Sequence, residues 1–242
     1  MENFDPRLYG ARWADKYDEW HKGLMDDEGA VTALVELAGD GPALEFGVGT
    51  GRLAVPLAER GVEVVGVDIS PEMLAKLKEK ASAVTVVEAD MTTVSLDREF
   101  ALAYIAFNSI YVLESQEDQV ALFRNAAAHL RSGGRFVLET EMPRVPSPTD
   151  RGTLRVTQVE PDRVTLAGGT FDPVTGLYKG MWLVLDADGP QFFPISGRSV
   201  THHEMDLMGQ LAGLELESRW SDWKRTPFGP KSELHISVYR KP

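Results

Sequence analysis

The stretch ALEFGVGTGRLAVPLAERGVEVVGVD, residues 43–68, decides the fold of this chain. An apolar run leads into three closely spaced glycines, a short helical segment follows, and a second apolar run ends in a carboxylate. This order predicts a strand, a tight turn, a helix and a second, parallel strand, as in nucleotide-binding α/β sheets. The glycine spacing does not suit a phosphate, since Arg52 stands where the dinucleotide fingerprint needs its third glycine and no G-K-[ST] follows.

The residues of this turn favour a ligand that carries ribose. Gly47, Gly49 and Gly51 let the backbone bend sharply and let a ligand lie against it, because no Cβ stands in the way. Asp68 follows Gly47 by 21 residues, the separation that brings a carboxylate within reach of ribose hydroxyls. Glu45 ends the first strand, where it borders the same ligand or caps the helix that follows.

Strand and helix signals continue to alternate after this unit. Ser70-Pro71 and Ser115 are N-cap signals that open two helices, and Gly133-Gly134 is expected to end the second one. Unbroken apolar runs of strand length indicate strands buried on both faces of a parallel sheet. They are VTVVEA (84–89), ALAYIAF (101–107) and RFVLET (135–140). Right-handed crossovers then predict a doubly wound sheet with one ligand crevice at its switch point.

Composition narrows the class of protein further. The 242 residues carry 25 Lys plus Arg against 37 Asp plus Glu, a net charge of −12 that argues against nucleic acid as a partner. Nothing approaches 18 consecutive apolar residues and the N-terminus has no signal-peptide pattern, so no membrane partner is expected. With no cysteine in the chain, we expect no disulfide and a cytoplasmic location.

The third and fourth strands both end in a polar residue at the same rim. Asp90, followed by Met91, ends the third strand, and Asn108, preceded by Phe107, ends the fourth. Together with E-x-G-x-G-x-G at 45–51, Asp68, FNSIYVL at 107–113 and HLRSGGRFVLE at 129–139, they form a specific set. In these motifs, over roughly residues 8–142, the chain resembles the class I S-adenosylmethionine-dependent methyltransferases. Several short strands with turn signals are expected between residues 151 and 200, inserted before the last helix. With the aromatic N-terminal helix, this insertion resembles the branch of the family that tailors sugars, peptides and other small molecules.

The resemblance implies a fold and a division of the chain. The fold class is α/β, a Rossmann-like doubly wound seven-stranded sheet with a final antiparallel strand and an inserted antiparallel β meander. PRVPSPTD at 143–150 cannot continue a helix and introduces the meander. The four parts are an N-terminal helical lid (1–40), the cofactor-binding α/β core (41–142), the inserted β subdomain (143–200) and a C-terminal completion of the sheet (201–242). Within the lid, two helical pieces are expected, with Trp13, Tyr17 and Trp20 on one helical face.

The resemblance also implies S-adenosyl-L-methionine as cofactor and assigns residues to it. Glu45 and the glycines would border its methionine part, Asp68 with Ile69 its ribose, and Asp90-Met91 its adenine. Tyr17 and Trp13 would face the sulfonium, where an aromatic ring suits a cation, unless they only pack the helix. The cofactor-binding set is therefore Tyr17, Trp13, Glu45, Gly47, Gly49, Gly51, Asp68, Ile69, Asp90, Met91, Phe107 and Asn108. Asp90 could instead cap the next turn.

The expected activity is methyl transfer to an amine or hydroxyl of a small molecule, mainly by proximity and orientation. His203, His202 and His21 are the candidates for a catalytic base, and no metal ligand set is recognised. Alternatives are a peptide N-terminal amine as acceptor, a cofactor-retaining enzyme of cyclisation type, or a non-catalytic binding partner. The aromatic side chains of the meander are expected to form its core, with an acceptor cover or a homodimer seam as alternatives.

Overall fold

The computed structural model describes residues 7–23, 25–80, 83–143 and 154–242, and it contains two sheets. The strands are β1 Ala43–Phe46, β2 Val64–Asp68, β3 Thr85–Glu88, β4 Phe100–Ile105, β5 Leu130–Glu141, β6 Arg155–Glu160, β7 Arg163–Phe171, β8 Leu177–Asp186, β9 Gly189–Arg198, β10 Glu215–Trp220 and β11 Leu234–Arg240. The helices are α1 Arg7–Trp13, α2 Tyr17–His21, α3 Asp27–Ala38, α4 Ala54–Glu59, α5 Pro71–Lys80, α6 Gln116–His129 and α7 His202–Leu211, with a 3₁₀ helix at Ser109–Val112.

The main sheet has seven strands in the order β10-β11-β5-β4-β1-β2-β3. Neighbouring strands from β5 to β3 pair in parallel, whereas β11 pairs antiparallel with both β5 and β10. The fold class predicted from the sequence is confirmed. Because the strand order reverses between β1 and β4, the carboxyl ends of these two strands define the ligand crevice of such a sheet.

Helices cover both faces of this sheet, which explains why its central strands are almost entirely apolar. Leu34, Leu57 and Leu77, from α3, α4 and α5, pack against one face. Phe123 of α6 and Met208 of α7 pack against the other. A separate apolar cluster therefore covers each face of the sheet.

The N-cap predictions are confirmed, but the predicted C-terminal end of α6 was wrong. Ser70 accepts a hydrogen bond from the Met73 amide at 3.2 Å, and Ser115 accepts one from the Asp118 amide at 3.0 Å. Helix α6 ends at His129 rather than at Gly133-Gly134. The reason is tertiary, since Leu130 already pairs with Phe100 of β4 and is held in extended conformation.

The described part of the N-terminal region, residues 7–23 and 25–40, contains three helices instead of the two predicted pieces. A turn after α1, closed by the Lys16 amide on the Trp13 carbonyl at 2.9 Å, separates Trp13 from Tyr17, so these rings do not share one helical face. Helix α3 packs in the core through Val31 and Leu34. Helix α3 therefore belongs to the core, and the role of α1 and α2 as a lid stays a prediction.

The inserted meander is a four-stranded antiparallel sheet, β6-β7-β8-β9, as predicted, although residues 144–153 of its introducing loop lie outside the described residues. Its face packs on α1, where Phe193 and Val184 are buried with Trp13. Its last strand crosses the 3₁₀ helix at Gly197. The meander thus contacts both α1 and the 3₁₀ helix that follows β4. Among the described residues, no helix has the length and apolar character needed to cross a membrane.

Gly197 is the point where this docking is tightest. A Cβ on Gly197 would lie 2.0 Å from the Tyr111 carbonyl oxygen, so a Gly197→Ala variant must move β9 away from the 3₁₀ helix. We expect the free energy of unfolding to fall by about 1–3 kcal/mol, as for other overpacked positions. Denaturant unfolding measures this loss. The control is Gly229→Ala, where nothing lies within 4 Å of the added Cβ and little change is expected.

Candidate active site

The glycine turn leaves β1 and lies open to the crevice at one position. Gly49 has a φ of +54°, and nothing lies within 4 Å of the position that a Cβ would take. Gly51, with a φ of +83°, instead lies against α5, since its Cβ would be 2.2 Å from Leu77 Cδ1. Gly47, with a φ of +68°, lies against Ser109, because a Cβ on Gly47 would be 3.3 Å from Ser109 Cβ. The turn therefore packs on both sides and leaves bare backbone at Gly49.

Asp68, at the carboxyl end of β2, closes this turn. Its Oδ2 accepts a hydrogen bond from the Gly49 amide at 2.8 Å, and its Oδ1 accepts one from the Ser70 amide at 2.9 Å. Burial raises the pKa of Asp68, and backbone hydrogen bonds from Ser70, Gly49 and Ile69 oppose that rise. Each carboxylate oxygen keeps a second lone pair. The group can therefore accept hydrogen bonds from two neighbouring ligand hydroxyls.

Glu45 lies beneath the crevice rather than at its surface. The side chain is buried, and its Oε2 accepts a hydrogen bond from the Tyr104 hydroxyl at 2.8 Å. Burial raises the pKa of Glu45 to about 8, although the Tyr104 hydrogen bond and the charge of Arg52 act against the rise. This carboxyl group is therefore largely protonated at neutral pH when no ligand is bound.

At the third strand, Asp90 is partly engaged in its own turn. Its Oδ1 accepts hydrogen bonds from the Thr92 amide at 2.8 Å and the Thr92 hydroxyl at 2.7 Å. This is the cap that the sequence left open as an alternative. Asp90 is nevertheless exposed at the rim, next to the half-buried Met91, and its Oδ2 has no partner among the described residues. A ligand amine can still be bound there.

Phe107 and Asn108 follow β4 and lie in the left-handed backbone region, with φ values of 49° and 63°. Such values are uncommon for non-glycine residues, and a bulky side chain there must be held by its surroundings. The Phe107 amide donates to Glu139 Oε2 at 3.0 Å, and Asn108 Oδ1 accepts from the Glu141 amide at 2.7 Å. The end of β5 thus sets the conformation of these two residues.

Glu139 and Arg52 are site residues that the sequence reasoning missed. Glu139 Oε1 accepts a hydrogen bond of 2.6 Å from Trp223 Nε1, and its Oε2 lies 3.7 Å from the Arg52 guanidinium. Arg52 also binds Asp27, at the start of α3. A carboxylate at the end of a predicted strand was the available signal for Glu139, whereas nothing local marks the partners of Arg52.

The N-terminal helices bring aromatic rings to this rim. The Tyr17 and His21 ring centroids lie 4.2 Å apart, and His21 meets Phe107 edge-to-face at 5.0 Å. Burial raises the pKa of Tyr17 to about 12; Arg52 opposes the rise, and the charges of Glu45 and Asp68 add to it. Trp13 instead lies in the apolar cluster with Trp20 and Phe193, at 4.9 Å from each ring. The structure places Tyr17, and not Trp13, beside the rim carboxylates.

The three candidate histidines have different surroundings. His21 Nδ1 lies 2.7 Å from the Tyr17 carbonyl oxygen, which can only accept, so Nδ1 carries the proton and Nε2 keeps a lone pair. Burial lowers the pKa of His21. His202 packs against Phe228 and His235 at the far end of the rim, and His203 is exposed. Of the three, only His21 contacts Tyr17 and Phe107.

The donor set fits the cofactor that the resemblance implies. Bare backbone at Gly49 and a doubly accepting Asp68 suit an adenosine ribose. Both cations beside the turn are already engaged, Arg52 with Asp27 and Glu139, and Lys80 with Asp18. A phosphate would therefore find no free arginine here, whereas a phosphate-free nucleoside needs none. Within the described residues, no group of three or more His, Asp or Glu side chains is arranged to hold a metal ion.

Comparison with known proteins agrees with this geometry. Residues 43–134 match the family model of a methyltransferase domain. The CcbJ methyltransferase from Streptomyces caelestis is 35% identical, with a TM-score of 0.92 over 98% of this chain and 99% of that one. The chain therefore belongs to the class I S-adenosylmethionine-dependent methyltransferases. It is a methyltransferase, and its cofactor is S-adenosyl-L-methionine.

Two further relatives extend this result. The cypemycin N-terminal methyltransferase from a Streptomyces species is 28% identical, and the alignment covers 98% of this chain and 99% of that protein. CalS10, an amino pentose methyltransferase from Micromonospora echinaspora involved in calicheamicin biosynthesis, was solved with S-adenosylmethionine bound. It is 23% identical, with a TM-score of 0.68 over 100% of both chains, and shows the shared fold.

A Gly49→Val variant tests the open position in the glycine turn. The added side chain would occupy the space against which the cofactor is expected to lie, so binding of S-adenosylmethionine should be lost. Calorimetric titration with the cofactor and with its demethylated product measures this. Gly61→Val is the matched control, because Gly61 has a φ of +87° and equally open surroundings but lies after α4. Equal losses in both variants would contradict the assignment.

Glu45 should make the stability of the cofactor-free protein depend on pH. Between the ordinary carboxyl pKa of 4.5 and the raised value of about 8, the folded state keeps a proton that the unfolded chain has lost. The free energy of unfolding therefore falls as pH rises through this window. In Glu45→Gln that contribution disappears, so thermal unfolding should vary less with pH. A variant with the wild-type pH profile would contradict the raised pKa.

Proposed function

We propose that this methyltransferase acts on an amine nitrogen of a small molecule, with His21 orienting the acceptor. The observation that carries the proposal is the half-buried His21 ring, which contacts Tyr17 and Phe107 at the carboxyl rim. Its lowered pKa keeps it neutral at pH 7, and its Nε2 has no hydrogen-bond partner among the described residues. That nitrogen can accept a hydrogen bond from an acceptor N–H.

An amine suits this site better than an alkyl hydroxyl does. A histidine with a lowered pKa is a weak base, and an alkyl hydroxyl is about as hard to deprotonate as water, with a pKa near 16. The carboxylates Asp68 and Glu139 are already engaged with backbone amides. A neutral amine needs no strong base, because its lone pair attacks directly. Orientation and exclusion of water are then sufficient.

The residues of this chain would divide the work as follows. The bound cofactor supplies an electrophilic methyl group on a sulfonium centre. Asp68 with Ile69 would hold the ribose, Gly47, Gly49 and Gly51 would lie along the nucleoside, and Asp90 with Met91 would bind the adenine edge. Glu45 would border the methionine part from below.

The faces of Tyr17 and Phe107 favour a cation and exclude water, and Trp13 supports them by packing α1 on the meander. His21 would direct the acceptor lone pair by accepting a hydrogen bond from the acceptor N–H at Nε2, and the proton of the ammonium product would leave to solvent.

A peptide N-terminal amine is the second candidate acceptor. Its support is the cypemycin N-terminal methyltransferase, which aligns along 98% of this chain and therefore through the meander as well. Because the chain is a methyltransferase, the cyclisation-type and non-catalytic alternatives are set aside. The assignment of the meander as acceptor cover or homodimer seam stays a prediction.

An acceptor panel tests the proposed reaction. Formation of the demethylated cofactor would be followed with small amines, their hydroxyl analogues, and peptides with free or acetylated N-termini. Turnover with amines and none with the hydroxyl analogues supports the proposal, and turnover restricted to free peptide N-termini selects the second candidate. Turnover with hydroxyl analogues alone would overturn both.

A His21→Asn variant tests the orienting role. Asparagine can keep a donor to the Tyr17 carbonyl but lacks the Nε2 acceptor, so kcat/KM for the acceptor should fall about 10- to 100-fold. In the wild type, kcat/KM should show a further fall below the ordinary histidine pKa of 6.5, as His21 becomes protonated, in addition to the fall caused by protonation of the acceptor amine. The variant should lose that limb of the profile. His202→Asn and His203→Asn are the comparisons, and a larger loss in either would move the role to α7.

A further inference from the structure

Helix α5 presents two lysines one turn apart to the N-terminal segment. Lys76 binds Asp15 at 2.9 Å, and Lys80 binds Asp18. Asp15 lies in the turn between α1 and α2, and Asp18 lies in the first turn of α2. The two ion pairs are similar in type, but of the two only the pair of Lys80 and Asp18 also contacts the glycine turn.

Asp18 makes a second contact that Asp15 lacks. The Thr50 hydroxyl donates a hydrogen bond of 2.6 Å to Asp18 Oδ1. Thr50 lies in the glycine turn between Gly49 and Gly51, and it is only 1% exposed. Lys80 completes a triangle, since its Nζ donates to the Thr50 carbonyl oxygen at 2.9 Å. Asp18 therefore joins α2, the glycine turn and the end of α5.

The position of α2 depends on such contacts. The helix has five residues, no side-chain cap and no fully buried residue. A helix of this length is not stable by itself, so its tertiary contacts decide where it lies. Its first and last residues, Tyr17 and His21, are the residues that we place beside the cofactor and the acceptor.

We propose that Asp18 is a positioning residue, which couples occupation of the glycine turn to the placement of Tyr17 and His21. The inference rests on the proposed function, in which the cofactor binds against Gly49. A cofactor that orders the glycine turn also orders Thr50, and Thr50 then holds Asp18 and the first turn of α2. The coupling is reciprocal, so loss of Asp18 weakens cofactor binding as well as acceptor alignment.

The alternative is that Asp18 forms only a surface ion pair, as Asp15 does. The Asp15 side chain is 81% exposed and that of Asp18 is 50% exposed. Exposed pairs contribute little to stability and would not act on the cofactor at all. The two aspartates therefore provide a matched comparison within one segment of chain.

The experiment compares Asp18→Ala, Thr50→Val and the double variant with Asp15→Ala as control. Calorimetry with the demethylated cofactor, thermal unfolding, and kcat and KM for both substrates are the readouts. We expect affinity for the demethylated cofactor to fall about tenfold in Asp18→Ala, with kcat also reduced, and no change in Asp15→Ala. The double variant should bind no more weakly than the weaker single variant, because the two residues act through one contact. Asp18→Asn, which keeps an acceptor for Thr50, should restore part of the affinity.

Failure of this inference and failure of the proposed site give different results. If wild-type protein binds the cofactor and Asp18→Ala binds it equally well, Asp18 is not a positioning residue. Additive losses in the double variant, or equal losses in Asp15→Ala and Asp18→Ala, overturn it as well. If Gly49→Val and wild type bind the cofactor equally well, the proposed binding position of the cofactor against Gly49 is itself wrong.

Discussion

The carboxylate of Glu139 is the constraint on which the rest of this site depends. It accepts hydrogen bonds from the Phe107 amide and Trp223 Nε1 and lies beside the Arg52 guanidinium, so it joins four separate parts of the chain. Without it, Phe107 would have little reason to stay in the left-handed region at the end of β4. The ring of Phe107 in turn meets His21. A residue that makes no proposed contact with substrate therefore shapes the wall of the crevice.

The charges at the rim explain which ligand the fold accepts. Asp68 and Glu139 are satisfied by amides and an indole, Glu45 by a phenol, and Arg52 by Asp27 and Glu139. The glycine turn is thus left without a free arginine, in a chain of net charge −12. Phosphate binding at a glycine turn normally adds a cation to the backbone amides. A phosphate-free adenosine with a cationic sulfur is the kind of nucleoside that such a rim suits.

The N-terminal segment and the meander meet above this rim. Trp13 and Phe193 bury an apolar contact between α1 and β9, while Asp18 ties α2 to the glycine turn. Hydrophobic packing therefore attaches α1 to the meander, and polar contacts attach α2 to the glycine turn. Polar contacts of this kind depend on the geometry of the turn, whereas apolar packing tolerates small shifts. This difference is why we expect the cofactor, rather than the acceptor, to set the position of α2.

Local patterns in the sequence determined the order of strands and helices, the glycine turn, Asp68 and the helix caps at Ser70 and Ser115, because each depends on residues close together in the chain. Tertiary structure decided the rest. It ended α6 at His129 by pairing Leu130 with β4, it buried Trp13 under the meander, and it brought His21 rather than His202 or His203 to Phe107. Glu139 could be found from the sequence only as a carboxylate at a strand end. Its partners come from 32 and 84 residues away, and no local pattern reports contacts formed across such distances.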